Sequence, residues 1–405
     1  MLYSRDILSQ IKKVLDRDEF IILTGARQTG KTSLLIILKE FLEEKGKICH
    51  YFNLENPENL ELLNKHPYNI FEIIPEKKSK QYIFIDEIQY LNNPSNFLKL
   101  LFDEKREKVK IITSGSSAFY IDKKFKDSLV GRKFLFEIYP LNFNEFLIFR
   151  NQDDLIKKNK QKLSKYYQEK VIDLWTNYLI YGGYPKVVLA ENSEMQKIIL
   201  EDIANSYIKK DIRDAGIKQG EKYFALLKIL AGQTGNLVNS QELAATLQTA
   251  HKTIEEYLYV MQKSYQIAFI KPFYKNLRKE LTKMPKVYFY DLGLRNLLLN
   301  NFNQISKRQD RGAYLENIAF REFLNQAHNL DSIKFWRTQD KKEIDFIVDN
   351  QAFEIKLKSD KIKKGRYAQF VNSYPDIKLN FLSYEQILEK FYGYKIINTP
   401  RHLFA

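Results

Sequence analysis

The chain has 405 residues, 44% hydrophobic and 28% charged, a globular composition that excludes extended disorder. Against 50 acidic residues stand 65 lysines and arginines, and the formal net charge of +15 favours a polyanionic partner, most simply nucleic acid. The lone cysteine, Cys49, excludes an intrachain disulfide, and no stretch reaches the roughly 18 apolar residues of a membrane span, so we expect a cytoplasmic chain of roughly two to four domains.

The first segment, MLYSRDILSQIKKVL, reads as an amphipathic helix without the apolar core of a signal peptide. Residues 19–45, EFIILTGARQTGKTSLLIILKEFLEEK, then run strand, glycine loop, helix. The loop is Gly25, Ala26, Arg27, Gln28, Thr29, Gly30, Lys31, Thr32 and Ser33. Glycines let such a backbone curl its N–H groups toward phosphate oxygens, and the helix start adds partial positive charge. Lys31 is expected at the β- and γ-phosphates, and Thr32 at Mg²⁺.

Apolar runs at 48–53, 82–86, 109–113 and 134–138 alternate with helices, which predicts a parallel sheet with crossover connections. Its ligands belong at the carboxyl ends of the strands. There YIFID ends in Asp86, followed by Glu87. Asp86 is the expected Mg²⁺ partner, and Glu87 the group that orients and polarises the attacking water. After VKIIT, Ser114 and Ser116 either contact the γ-phosphate or cap the next helix. Arg132, before KFLFEI, is a candidate for charge developing on the transferred phosphoryl, on its own nucleotide or on that of a neighbouring copy.

Residues 151–220 read as a polar stretch and then helices, broken at Gly182, Gly183 and Pro185 by a hinge or packing turn. Residues 221–300 carry three helical patterns, near 221–231, at SQELAATLQ and near 250–263, followed by two strands around LRKELTKMP: a winged-helix order. His251 and Lys252 share the candidate recognition helix with Glu255 and Glu256, and those acids oppose a phosphate-lined groove. Lys275, Arg278, Lys279, Lys283 and Lys286 in the hairpin suit backbone contact better. The module either grips nucleic acid or docks the flanking domains.

Residues 301–405 read helix (312–328), three strands (IKFWRT, EIDFIVDN, AFEIKLK), helix near 366–372 and strand near 378–382. Glu354 and Lys356 share a strand face, with Asp345 on the neighbouring strand and Glu316 on the helix beside its apolar stripe. One reading is a metal-dependent nuclease site: Glu316, Asp345 and Glu354 as Mg²⁺ ligands, Lys356 on the water or phosphate, and Lys358, Lys361, Lys363, Lys364 and Arg366 on the backbone of a nucleic acid. The other is a set of charges that simply pair.

The ordered stretches GARQTGKT, FIDEIQYL, TSGSSAFY, LVGRKFLFEIYPLNFNEFL, YGGYPKVV, SYIKKDI, KVYFYDLGLRNLL, GAYLENIAFREF and EIDFIV with FEIKLK resemble prokaryotic AAA-type ATPases that carry a C-terminal DUF4143 domain. The resemblance runs from residue 20 to about 358. It implies an α/β P-loop NTPase domain (1–150), a helical linker (151–220), a winged-helix domain (221–300) and a restriction-endonuclease-like α/β domain (301–405). It implies ATP and Mg²⁺ as cofactors. Two functions follow: an ATP-driven enzyme acting on DNA before RNA, or a nucleotide-dependent switch for protein partners with an inert nuclease-like fold. A metabolic kinase fits less well, because Glu87 beside Asp86 favours water as acceptor.

Overall fold

The computed structural model describes residues 3–74, 77, 79–115, 129–158, 163–274, 283–357 and 364–395. It divides into two compact units, 1–139 with 263–265, and 140–262 with 266–405. Among the described residues no helix is long and apolar enough to cross a membrane.

The first unit is built on five parallel strands: β1 (Phe20–Thr24), β2 (Ile48–Asn53), β3 (Gln81–Asp86), β4 (Val109–Gly115) and β5 (Lys133–Glu137), in the order β2-β3-β4-β1-β5. The three inner strands are buried along their whole length, as helices on both faces require. Side chains alternate between two cores. Phe20, Ile22, Ile83, Ile85 and Ile111 pack with Leu98 and Leu101 of the helix Pro94–Lys105. Ile21, Leu23, Tyr82, Phe84 and Ile112 pack with Leu34, Leu35 and Leu38 of the helix Lys31–Glu44, and with Ile7 and Ile11 of the helix Ile7–Lys12. The strand register, Thr24 beside Gly115 and Ile85 beside Thr113, brings the carboxyl ends of β1, β3 and β4 level.

The second unit opens with the helix Phe143–Phe149, started by a capping box between Asn142 and Glu145. Phe143 anchors an aromatic cluster with Trp175, Tyr178 and Tyr392. The break at YGGYP is a packing turn. Gly182, at φ 81°, ends the helix Lys165–Tyr181, and the Gly183 amide donates to the buried Asp291 carboxylate at 2.8 Å. The other Asp291 oxygen accepts from Leu294 at 2.9 Å and caps the helix Leu292–Leu298. Asn296 of that helix donates to the Leu179 and Ile180 carbonyls. YGGYP and DLGLRN are therefore two halves of one junction.

Three helices follow, Gly220–Gly232, Ser240–Thr246 and His251–Lys263, then the hairpin β6 (Ile267–Pro272) and β7 (Lys286–Phe289). Helices and hairpin come in the expected order, but the hairpin is not a free wing. β6 also pairs, in parallel, with β8 (Lys334–Arg337), so the hairpin continues the C-terminal sheet. That sheet runs β11-β10-β9-β8-β6-β7, with β9 at Glu343–Val348, β10 at Gln351–Ile355 and β11 at Lys378–Leu382. The sheet thus crosses residue 300: β6 pairs with β7 before it and with β8 after it. Asp349 and Asn350, both at positive φ, make the two-residue turn between β9 and β10. The helix Arg311–Ala327 packs on this sheet through Phe320 against Tyr288 and Phe323 against Phe353.

Candidate functional site

The glycine loop leaves β1 at Gly25, whose φ is 151°. A Cβ there would stand 2.2 Å from the Ile138 carbonyl oxygen, so no other residue fits. Gly30 takes the left-handed conformation at the head of the helix Lys31–Glu44, and Gln28 has φ 58°. Within the loop, the Thr29 hydroxyl donates to the Ala26 carbonyl at 2.9 Å. The Arg5 guanidinium braces it from outside, donating to the Thr29 carbonyl at 2.8 Å and to the Tyr139 carbonyl at 2.9 Å. The Lys31 ammonium is buried and donates to the Gly25 and Ala26 carbonyls at 3.0 and 2.7 Å. Ala26 is buried, Arg27 is half-buried, and Thr32 and Ser33 lie on the exposed side of the first helical turn.

Asp86, at the end of β3, faces this loop. One carboxylate oxygen accepts from the Thr32 hydroxyl at 2.7 Å and from the Tyr51 phenol at 3.1 Å, and the other accepts from the Ser114 hydroxyl. Burial, reinforced by the Asp86 charge, raises the Tyr51 phenol and keeps it a donor. Glu87 follows in the left-handed region, at φ 58° and ψ 47°. That conformation costs about 1–3 kcal/mol in a non-glycine residue and is typical of functional positions. Its amide donates to the Ser114 hydroxyl at 3.3 Å, and its carboxylate accepts from the Gln89 side chain. Lys31, Thr32, Asp86, Glu87 and Ser114, separated by up to 83 residues, thus meet at one end of one sheet. Ser116 lies outside the described residues. Tyr51 and Arg5 went unread in the sequence. Tyr51 needs the strand order, β2 beside β3, to be seen as a neighbour of Asp86.

Arg132 is elsewhere. Its carbonyl accepts from the Phe20 amide at 2.9 Å, at the start of β1. The loop leaves the other end of that strand, about 16 Å away at 3.3 Å per residue. The guanidinium is held by Asp103, with Nε–Oδ1 at 2.7 Å. Of the two settings open for Arg132, its own nucleotide or a neighbouring copy's, this placement suits the second, because a parallel sheet puts the start of every strand at the edge opposite its ligand. Arg132→Ala should leave nucleotide affinity unchanged by calorimetry and cost under about 1 kcal/mol of stability, since exposed pairs contribute little.

The C-terminal acids also converge, though not as expected. Lys286 of β7, with its side chain 1% exposed, places its ammonium 2.5 Å from Glu343, 3.5 Å from Glu316 and 3.9 Å from Asp345. Arg337 pairs with the other oxygen of Glu343 at 2.5 Å. Tyr288 donates to Glu316 at 3.1 Å. The Ile355 amide donates to Asp345 at 2.8 Å. Glu354 accepts from Lys356 and, at 2.9 Å, from Tyr367. Burial raises the Asp345 carboxyl well above its usual range, helped by Glu316 and Glu354, and it raises Glu316 as well. Burial alone would lower Lys286, but Glu316, Asp345 and Glu343 outweigh it and hold the ammonium charged.

Among the described residues no group of three or more His, Cys, Asp or Glu is arranged to hold a metal. Glu316, Asp345 and Glu354, expected as a ligand set, each accept from a protein donor, and one Glu354 oxygen is buried with no hydrogen-bond partner. Lys286, expected on phosphates, is buried and cannot reach them. Lys275, Arg278, Lys279, Lys358, Lys361 and Lys363 lie outside the described residues, as does the side chain of Lys364, while Lys283 and Arg366 are exposed. On the expected recognition helix, His251 bonds Ser240 at 2.7 Å and lies 3.5 Å from Glu255.

Family models match an AAA domain over residues 17–147, a domain of unknown function (DUF8612) over 172–305, and DUF4143, a second domain of unknown function, over 311–387. An uncharacterized protein of Haemophilus influenzae is 29% identical over 363 residues, covering 86% of this chain and 84% of its own length. One from Methanocaldococcus jannaschii is 26% identical over 352 residues, covering 83% of this chain and 75% of its own length. Among solved structures, AMPPCP-bound DnaA from Aquifex aeolicus is 18% identical at a TM-score of 0.33, over 63% of this chain and 86% of that one. Cdc6p from Pyrobaculum aerophilum is 13% identical at 0.35, over 75% and 96%. At such scores they add nothing to the strand order seen directly. The AAA domain covers the loop and β3, DUF4143 covers the helix bearing Glu316 and the strands bearing Asp345 and Glu354, and the chain carries an AAA domain followed by a C-terminal DUF4143 domain.

Proposed function

We propose that this chain binds and hydrolyses ATP with Mg²⁺ and couples turnover to nucleic acid, DNA before RNA. The observation that carries the first half is the bond between Thr32 and Asp86, across from Lys31 and beside Glu87. The donor set suits the cofactor: a curled loop with an ammonium for phosphate oxygens, and a hydroxyl and a carboxylate for a hard cation. Mg·ATP, when bound, would supply the phosphoryl group and a divalent charge to offset that of the phosphates. Lys31 neutralises phosphate charge. Asp86, held in plane by Thr32, Tyr51 and Ser114, faces the cation side. Glu87 takes up the proton of the attacking water.

The excess of basic residues supports the second half. It is tested by measuring binding to single- and double-stranded DNA against salt, with and without ATP, together with phosphate release. Binding that weakens steeply with salt, and turnover that rises with DNA, are expected. Turnover indifferent to DNA would favour the protein-partner switch. Arg132, at the far edge of the sheet, is available only to a neighbouring copy, and a homo-oligomer is the setting in which it would act.

A further inference from the structure

We propose that the Lys286 ammonium is a built-in counter-cation occupying the place where the C-terminal carboxylates would otherwise take a divalent metal, so that this half of the molecule does not cleave phosphodiesters. Three carboxylates from separate positions on the helix Arg311–Ala327 and on β9 point at one Nζ atom. A hard cation gathers oxygen ligands in this way. Here the cation is covalently attached to the chain.

It is also fixed in place. Lys286 begins β7, pairs with Ile270 of β6 and forms a bridge with Leu237, and its side chain is 1% exposed. The ladder fixes its backbone, and burial with three ion pairs confines the ammonium. Without a metal the charges already come to within one unit of balance. Glu316, Glu343, Asp345 and Glu354 are four acids, and Lys286, Arg337 and Lys356 are three bases in contact with them. Adding a dication beside a buried ammonium would leave net positive charge in a poorly solvated place, which is costly. The Lys356 amine, which a nuclease would aim at water or phosphate, is already spent on Glu354.

This inference is independent of the ATP site, and absence of ATP turnover would leave it standing. The test uses the nucleotide-free full chain. Bound Mn²⁺ is measured by electron paramagnetic resonance, and the melting temperature is taken with and without Mn²⁺. For the unmodified protein we expect no Mn²⁺ binding that Asp345→Asn removes, and no Asp345-dependent nicking of supercoiled plasmid. Removing the amine should create the metal site: Lys286→Ala should bind one Mn²⁺ and be stabilised by it. If that variant does not fold, Lys286→Gln with Glu343→Gln, which deletes one charge of each sign, is measured in its place. Stoichiometric Mn²⁺ on the unmodified protein that disappears in Asp345→Asn would overturn the proposal. So would folded Lys286 variants that gain no Mn²⁺ site.

Discussion

Lys31→Ala protein should lose ATP affinity by at least about 100-fold in calorimetry, and Glu87→Gln protein should bind ATP normally yet release phosphate about 100- to 10,000-fold more slowly. The first figure follows from charge-assisted hydrogen bonds worth about 1.5–3 kcal/mol each, at 1.4 kcal/mol per factor of ten. The second is the usual contribution of a positioned proton acceptor. The two variants separate because the residues sit on different sides of the site. Lys31 lies inside the loop that would wrap the phosphates, and Glu87 stands past the end of β3, beside Asp86 and Ser114. The Lys31 ammonium also holds the Gly25 and Ala26 carbonyls, so its melting temperature should be compared with that of the unmodified protein before the affinity is interpreted. Normal turnover in Glu87→Gln would remove the assignment of that residue.

Gly293→Ala should be among the most destabilising single-methyl additions in the second unit, costing about 3 kcal/mol or more and lowering its melting transition by about 10 °C. A Cβ at Gly293 would lie 2.1 Å from the Tyr181 carbonyl oxygen and 2.5 Å from its carbon. Neither atom is the mobile end of a side chain: both belong to the last turn of the helix Lys165–Tyr181. Gly183→Ala should behave alike, with its Cβ 2.3 Å from the Leu141 carbonyl oxygen. Gly312→Ala is the control. No atom lies within 4 Å of its Cβ, and in a helix alanine should gain up to about 1 kcal/mol over glycine. Equal melting temperatures for Gly293→Ala and Gly312→Ala would show that the junction at Asp291 yields more readily than its contacts imply.

The nucleotide half was legible because its information is local. Gly25, Gly30, Lys31 and Thr32 occupy one loop, and Asp86 and Glu87 end one strand. The strand beginning at Val109 could be read because a largely apolar run marks a strand buried on both faces, whereas the edge strand Ile48–Asn53 buries only Phe52. Spatial order was the missing quantity. Tyr51 meets Asp86 only because β2 lies beside β3, which no periodicity encodes. Arg132 was legible in principle: a residue just before a parallel strand belongs at the edge away from the ligand.

In the C-terminal half, the acids were found and their partner was not. Lys286 opens an otherwise apolar strand in a basic neighbourhood, and that composition points to solvent. Glu316 and Asp345 lie 30 and 59 residues further along, so their approach to Lys286 is settled by sheet pairing alone.

The continuity of the C-terminal sheet through β6 and β7 decides how this molecule can be dissected. A fragment starting at residue 301 would strip β8 of its parallel neighbour, leaving raw N–H and C=O groups along an apolar margin that invites strand-to-strand clumping. It would also delete Lys286 and strand Glu316 and Asp345 as mutually repelling acids. Any cleavage seen in such a piece after adding metal would report an artefact of truncation, a pocket opened by scissors, and say nothing of the intact chain.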